Sequence, residues 1–240
     1  MVVELFTDAL KLGFIVFCLF AVIRAYAHRR QPSWSILLEQ RRLGVVSVLV
    51  LVALTIKVTE DVVGGESGPI DRAILLFIQA NGSAALTAFF AAITLSGSAK
   101  VLTPVVSLIT LVLWYRKHRE EAFLLAASAL SGVGLVYVVK KAVGRARPDL
   151  WPTAWYSGSS FPSGHTLGVA AIATAGALIA IQLSPPSRRW VVSVAFLWTL
   201  LVALSRLVLG VHWPTDVLAA ACIGATLPLL ISLGLAVKRR

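Results

Sequence analysis

Long apolar runs broken by short polar segments set the pattern of this chain. The first runs from about Leu5 to Ala27, and at about 1.5 Å per residue a helix of that length crosses roughly 30 Å of hydrocarbon. Ala25-Tyr26-Ala27 has the small-x-small form of a signal cleavage site. However, Glu4 and Asp8 precede the apolar run and no basic region does, so the pattern predicts a retained helix. A second run covers about Leu43 to Val63, where Lys57 and Asp61, four apart on one helical face, predict a structural ion pair. Between Gly64 and Gly97 the rhythm breaks at Gly64, Gly65, Gly68 and Pro69. The pieces Ile70–Ala80 and Ala84–Leu95 are short for a span and read as interfacial or re-entrant helices. Five further spans follow at about Ser98–Tyr115, Ala122–Val143, Ser163–Leu183, Trp190–Leu209 and Pro214–Val237, making seven in an all-α, polytopic helical bundle.

Composition agrees with that reading. With 58% hydrophobic and 14% charged residues and a mean hydropathy of +0.86, a soluble domain is excluded. The net charge of +11 sits in clusters between apolar runs, which argues for membrane topology and against nucleic acid. Cys18 and Cys222 each lie inside an apolar run and read as buried thiols with no disulfide between them.

Basic residues collect in alternate loops: Arg29, Arg30, Arg41 and Arg42; Arg116, Lys117 and Arg119; Arg188 and Arg189; and the tail Lys238-Arg239-Arg240. Cytoplasmic loops are enriched in Lys and Arg, so this pattern places the amino terminus outside and the carboxyl terminus in the cytoplasm. One outward segment breaks the rule, since Lys140, Lys141, Arg145 and Arg147 crowd the end of the fourth span. A bound anion accounts for positive charge on that side.

Three clusters fall at that same face: Lys140 with Arg147-Pro148; Pro162-Ser163-Gly164-His165; and Ser205-Arg206 with His212 and Asp216. Charge placed between two apolar segments is costly and marks function. At every defining position these clusters resemble the type 2 phosphatidic acid phosphatase superfamily. The resemblance covers roughly Pro69 to Val237 and includes the Thr94, Gly97, Ser98 stretch. It implies a six-helix lipid phosphatase core over 43–240, with residues 1–42 forming an additional amino-terminal helix and a basic cytoplasmic loop.

The chemistry of the residues agrees. A phosphomonoester carries close to two negative charges, and Lys140, Arg147 and Arg206 supply three cations to hold them. Ser163 and Gly164 stand at the start of a helix, where free N–H groups and the dipole favour phosphoryl oxygens. The resemblance makes His212 the nucleophile, forming a phosphohistidine, with Asp216 on its other ring nitrogen. It makes His165 the proton donor to the leaving lipid oxygen and then the base for water. No Asp/Glu cluster accompanies them, so metal-independent catalysis without a cofactor is expected.

The remaining polar residues have plainer readings. His28 and His118 sit in basic loops as interfacial groups, and Lys141 and Arg145 read as surface charge or headgroup contacts. Asp71 and Arg72 read as headgroup-facing, and Trp151, Trp155, Tyr156 and Trp213 as an aromatic belt. The expected protein is an integral lipid phosphatase of the bacterial plasma membrane whose site faces the exterior or periplasm. Undecaprenyl diphosphate, phosphatidylglycerophosphate, phosphatidate and lipid A phosphates all present the terminal phosphate it needs. The motifs leave oligomeric state open. Phosphotransfer to a second lipid uses the same site, and a non-enzymatic transporter of anionic lipids leaves the His and Asp placement unexplained.

Overall fold

A computed structural model of the chain describes residues 2–30, 32–153 and 158–238. Trp155, Tyr156, Arg239 and Arg240 lie outside these, as do the side chains of Glu4 and Arg30. The regular elements of the described residues are helices: α1 (Val2–Arg30), α2 (Pro32–Gln40), α3 (Arg42–Gly64), α4 (Gly68–Ala80), α5 (Ala84–Leu95), α6 (Ala99–Tyr115), α7 (Arg119–Val143), α8 (Gly164–Leu183), α9 (Arg188–Val208) and α10 (Pro214–Lys238). Among the described residues, seven stretches are long and apolar enough to cross a membrane, as expected. In hydrocarbon only helices and closed barrels satisfy their own backbone, which is why runs of this composition fold this way.

Two details differ from the sequence reading. Ala84–Leu95, expected at the interface, joins α6 in one apolar stretch, Ala84–Tyr115. The turn between them is closed by its own backbone bonds, from Ser96 N to Ile93 O, Gly97 N to Thr94 O and Ser98 N to Leu95 O. Its polar groups are therefore satisfied without leaving the apolar zone. The basic segment 28–42, expected as a loop, contains α2, which Arg24 on α1 holds through Glu39 at 2.8 Å.

The centre of the bundle is the α8–α10 pair, with α7 and α9 against α8 and α3 against α10. Small residues let these two backbones approach. Gly224 on α10 lies against Ala170 and Ala171 of α8, Ala220 packs with Leu167, and these alanines are at most 2% exposed. A Cβ built on Gly224 stands 2.5 Å from the Leu167 carbonyl oxygen, so only glycine fits there. Helix α1 packs on α3. Lys57 bridges Asp61 at 2.7 Å, as the spacing predicts, and also reaches Asp8 of α1 at 3.6 Å. Cys222 is buried and Cys18 half-buried, and both are free thiols.

The order of the helices brings four termini to one end of the bundle. The carboxyl ends of α7 and α9 and the amino ends of α8 and α10 carry all three polar clusters. Helix α4 touches both α9 and α10 and closes the rim.

Candidate active site

Helix α7 delivers Lys140 in its last turn and ends at Gly144, whose φ of +63° is the left-handed C-cap that glycine adopts without strain. The chain then extends through Arg145 and Arg147. Ser160 pins it by donating from N to Arg145 O (2.8 Å) and from Oγ to Ala146 O (3.0 Å). The Trp213 indole donates to the same Ala146 carbonyl at 2.9 Å. Residues two apart in an extended segment share a side, and both arginines reach the turn between α9 and α10.

That turn carries the nucleophile candidate. Its chain reverses at Gly210, where Val211 N donates back to Arg206 O at 3.2 Å, and Pro214 opens α10. The Asp216 carboxylate in the first turn reaches back to accept from Trp213 N at 2.9 Å, satisfying one of the N–H groups a helix start leaves open. The same Oδ2 faces Nδ1 of His212 at 3.4 Å. The other ring nitrogen, Nε2, lies 3.3 Å from Nη1 of Arg147. His212 is 3% exposed and Asp216 fully buried. Burial is the main cause that pushes the His212 pKa down to about 4, assisted by Arg206 and Arg147 and opposed by Asp216. His212 is therefore neutral at pH 7. With Nδ1–H directed at Asp216, the lone pair is on Nε2, toward the cations.

Each candidate is brought to this end. Arg147 also donates to Val211 O at 2.8 Å and to Gly158 O at 3.2 Å. Lys140 donates to the Ser159 carbonyl and lies within electrostatic reach of Arg147, Arg206 and Asp216. Arg206, 1% exposed, donates to Thr94 Oγ1 on α5 at 2.7 Å. Ser163 caps α8 with extended backbone, its N–H donates to Asp216 O at 3.2 Å, and its Oγ accepts from Thr166 at 3.1 Å. Gly164 and His165 follow in the first helical turn, whose N–H groups have no intrahelical acceptor.

His165 also lines a cavity of about 680 Å³ that runs from Gly97 and Gly164 between α6, α7 and α8. Leu102, Val106, Leu130, Val133 and Ile172 make it apolar. Thr103, Ser107 and Thr110 add hydroxyls along its α6 wall, and among the described residues Thr110 Oγ1 is buried without a hydrogen bond.

Two residues expected at the membrane surface are instead internal. Asp71 is fully buried, and its Oδ2 accepts from Arg145 Nη2 and from Thr215 Oγ1, each at 2.6 Å. Its Oδ1 accepts from Thr215 N at 3.0 Å, capping α10 from α4. Arg145 is no surface charge, because its Nη1 donates to Asp216 Oδ1 at 2.7 Å and to Thr215 Oγ1 at 2.8 Å. Its Nη2 also reaches Ser67 Oγ at 3.1 Å, and its guanidinium lies 5.5 Å over the Trp213 ring. Trp213 thereby joins this cluster, and Trp151 packs with Leu75, Leu207 and Val217 and against Gly210. The exposed charges keep their plainer reading: Lys141 is exposed over Tyr137, His28 is exposed, and His118 lies 3.9 Å from Glu121.

A bundle end that gathers cations, two imidazoles and a carboxylate has the chemistry of a membrane-embedded phosphatase. The family model of the PAP2 superfamily matches residues 121–239. Phosphatidylglycerophosphatase B of Bacillus subtilis is 32% identical over 143 residues, which are 58% of this chain and 70% of that one. Undecaprenyl-diphosphatase of Sulfolobus acidocaldarius is 28% identical over 191 residues, 76% of this chain and 87% of that one. The crystal structure of the transmembrane PAP2-type phosphatidylglycerolphosphate phosphatase from Bacillus subtilis superposes with a TM-score of 0.74 at 25% identity, covering 81% of this chain and 98% of that one. The chain belongs to the PAP2 superfamily, among its membrane lipid phosphatases.

Proposed function

We propose that this protein hydrolyses the terminal phosphate of a membrane lipid through a phosphohistidine on His212, without a metal, at a site facing away from the cytoplasm. One observation carries the reading. The ring of His212 is held between a carboxylate on Nδ1 and an arginine facing Nε2. In the first step Nε2 attacks phosphorus and the bond from phosphorus to the leaving lipid oxygen breaks, while imidazolium His165 gives that oxygen its proton. Asp216 stabilises the positive charge the His212 ring acquires. The arriving phosphate dianion offsets the cations around His165. In the second step neutral His165 takes a proton from water, the resulting hydroxide character attacks phosphorus, and the P–N bond breaks to release phosphate. Lys140, Arg147, Arg206 and the amino end of α8 neutralise the equatorial oxygens, a task metals perform in other phosphotransfer sites.

The apolar cavity beside His165 supports a substrate whose tail stays among α6, α7 and α8. The hydroxyls of Thr103, Ser107 and Thr110 favour a tail that carries hydrogen-bond acceptors near its head. A glycerophospholipid phosphate such as phosphatidylglycerophosphate has ester carbonyls there and a polyprenyl chain has none. Similarity to the Sulfolobus enzyme along 76% of the chain supports undecaprenyl diphosphate as the second reading. Residues 43–240 are proposed as the catalytic core and α1 as an addition to it.

The test is phosphate release by the purified protein in detergent from phosphatidylglycerophosphate, phosphatidate, undecaprenyl diphosphate and lipid A phosphate, with and without a chelator. Release that persists under chelation, fastest on a glycerophospholipid, is expected. Loss on chelation refutes the metal-free route, and transfer of the phosphate to a second lipid without free phosphate refutes hydrolysis.

A further inference from the structure

Arg145 bridges two fully buried carboxylates that come from opposite ends of the sequence. One is Asp216, whose other oxygen faces His212, and the other is Asp71 on the rim helix α4. We infer that Arg145 and Asp71 are positioning residues for the nucleophile: Arg145 holds the Asp216 carboxylate in the orientation that faces His212, and Asp71 holds Arg145. This rests on His212 being the nucleophile.

The division of contacts on Asp216 carries the argument. Its Oδ2 serves the turn and the ring, accepting from Trp213 N at 2.9 Å and facing His212 Nδ1 at 3.4 Å, while its Oδ1 accepts from Arg145 at 2.7 Å. Rotation of the carboxylate away from His212 breaks the Arg145 bond. The planar guanidinium can serve two carboxylates at once, whereas an ammonium acts as a point charge and cannot keep both in register. Arg145 is in turn held against Asp71 (2.6 Å), Ser67 (3.1 Å) and Thr215 (2.8 Å). Asp71 also caps α10 through Thr215 N and Oγ1, so one carboxylate fixes both the arginine and the helix that carries Asp216.

Arg145 is not a further phosphate ligand. Two carboxylates already balance its charge. A phosphate would have to displace a carboxylate from Arg145 to reach it.

The experiment measures kcat and KM of the full chain in detergent, on a lipid phosphate from which the wild type releases phosphate and H212A does not. Failure of that precondition refutes the functional reading itself, separately from the positioning role. R145A is expected to lower kcat about 100-fold with KM within about twofold, because binding by Lys140, Arg147 and Arg206 is untouched. D71N moves kcat the same way by less, and R145K recovers part of the loss. In a D216N background, R145A changes the remaining kcat by less than about twofold, since groups that act as a unit are not additive. Penalties that multiply in full in that background overturn the proposal. So does a raised KM at unchanged kcat, which marks Arg145 as a substrate cation. If R145A does not give folded protein, D71N/R145Q, which removes one charge of each sign, carries the same test with the same expected loss and the same non-additivity with D216N.

Discussion

At the residue scale the chemistry turns on the protonation of His212. Two opposing effects act on its ring, since burial and the nearby arginines favour the neutral form while Asp216 favours the charged one. Burial wins, and the pKa falls to about 4. Because the value is lowered, the neutral form is the resting one at all pH values above about 4, and protonation removes the nucleophile only below that. An NMR titration of the His212 ring in detergent micelles is expected to find it uncharged at pH 5.5, where an unperturbed histidine is mostly protonated. A midpoint near 6.5 contradicts the burial argument. Asp71 and Arg145 escaped the sequence reading for a different reason. They lie 74 positions apart, no spacing rule links them, and an acid and a base at a helix end look the same in sequence whether they face headgroups or each other. Removing one partner of a buried ion pair costs on the order of 3–5 kcal/mol, so this cluster is a structural commitment as well as a chemical one.

At the element scale, the site is a set of helix termini. The site residues were legible because the three clusters lie within a turn or two of a helix end, where local spacing determines what meets: His212 and Asp216 across the α10 start, Lys140 and Arg147 across the α7 cap, and Ser163 to His165 on the α8 start. Their common face was legible from the alternation of spans, and their closer approach through the resemblance to the superfamily. The cavity went unread because it lies between three helices, and although Thr103, Ser107 and Thr110 at helical spacing mark one face of α6, nothing local says which helices that face meets. The α8–α10 contact makes a prediction here. With a Cβ at position 224 only 2.5 Å from Leu167 O and 2.7 Å from Ala170 Cβ, G224A is expected to force the helices apart at a cost of about 1–3 kcal/mol. Because Ser163 and Asp216 sit on these two helices, activity should fall along with thermal stability in detergent. Wild-type stability for G224A contradicts the close packing.

At the scale of the whole molecule, composition alone identified a polytopic helical protein, and seven spans are present. The proposed orientation rests on the basic loops. Three of the basic residues that depart from that charge rule are accounted for inside the fold, since Arg147 faces His212, Lys140 lies within electrostatic reach of Arg147 and Asp216, and Arg145 balances two buried acids. Impermeant maleimide applied to intact cells is expected to label E66C, at the site end, and to spare H118C until the membrane is opened. The reverse pattern contradicts the orientation.

The central claim is that His212 becomes covalently phosphorylated. Its most direct test is rapid acid-free quenching of the protein with a lipid carrying radiolabelled terminal phosphate, using H165A to slow release from the intermediate. The account predicts label on the peptide containing His212, stable to base, lost in mild acid and absent from an H212A/H165A double variant. Label on another residue, or label that survives loss of His212, contradicts it.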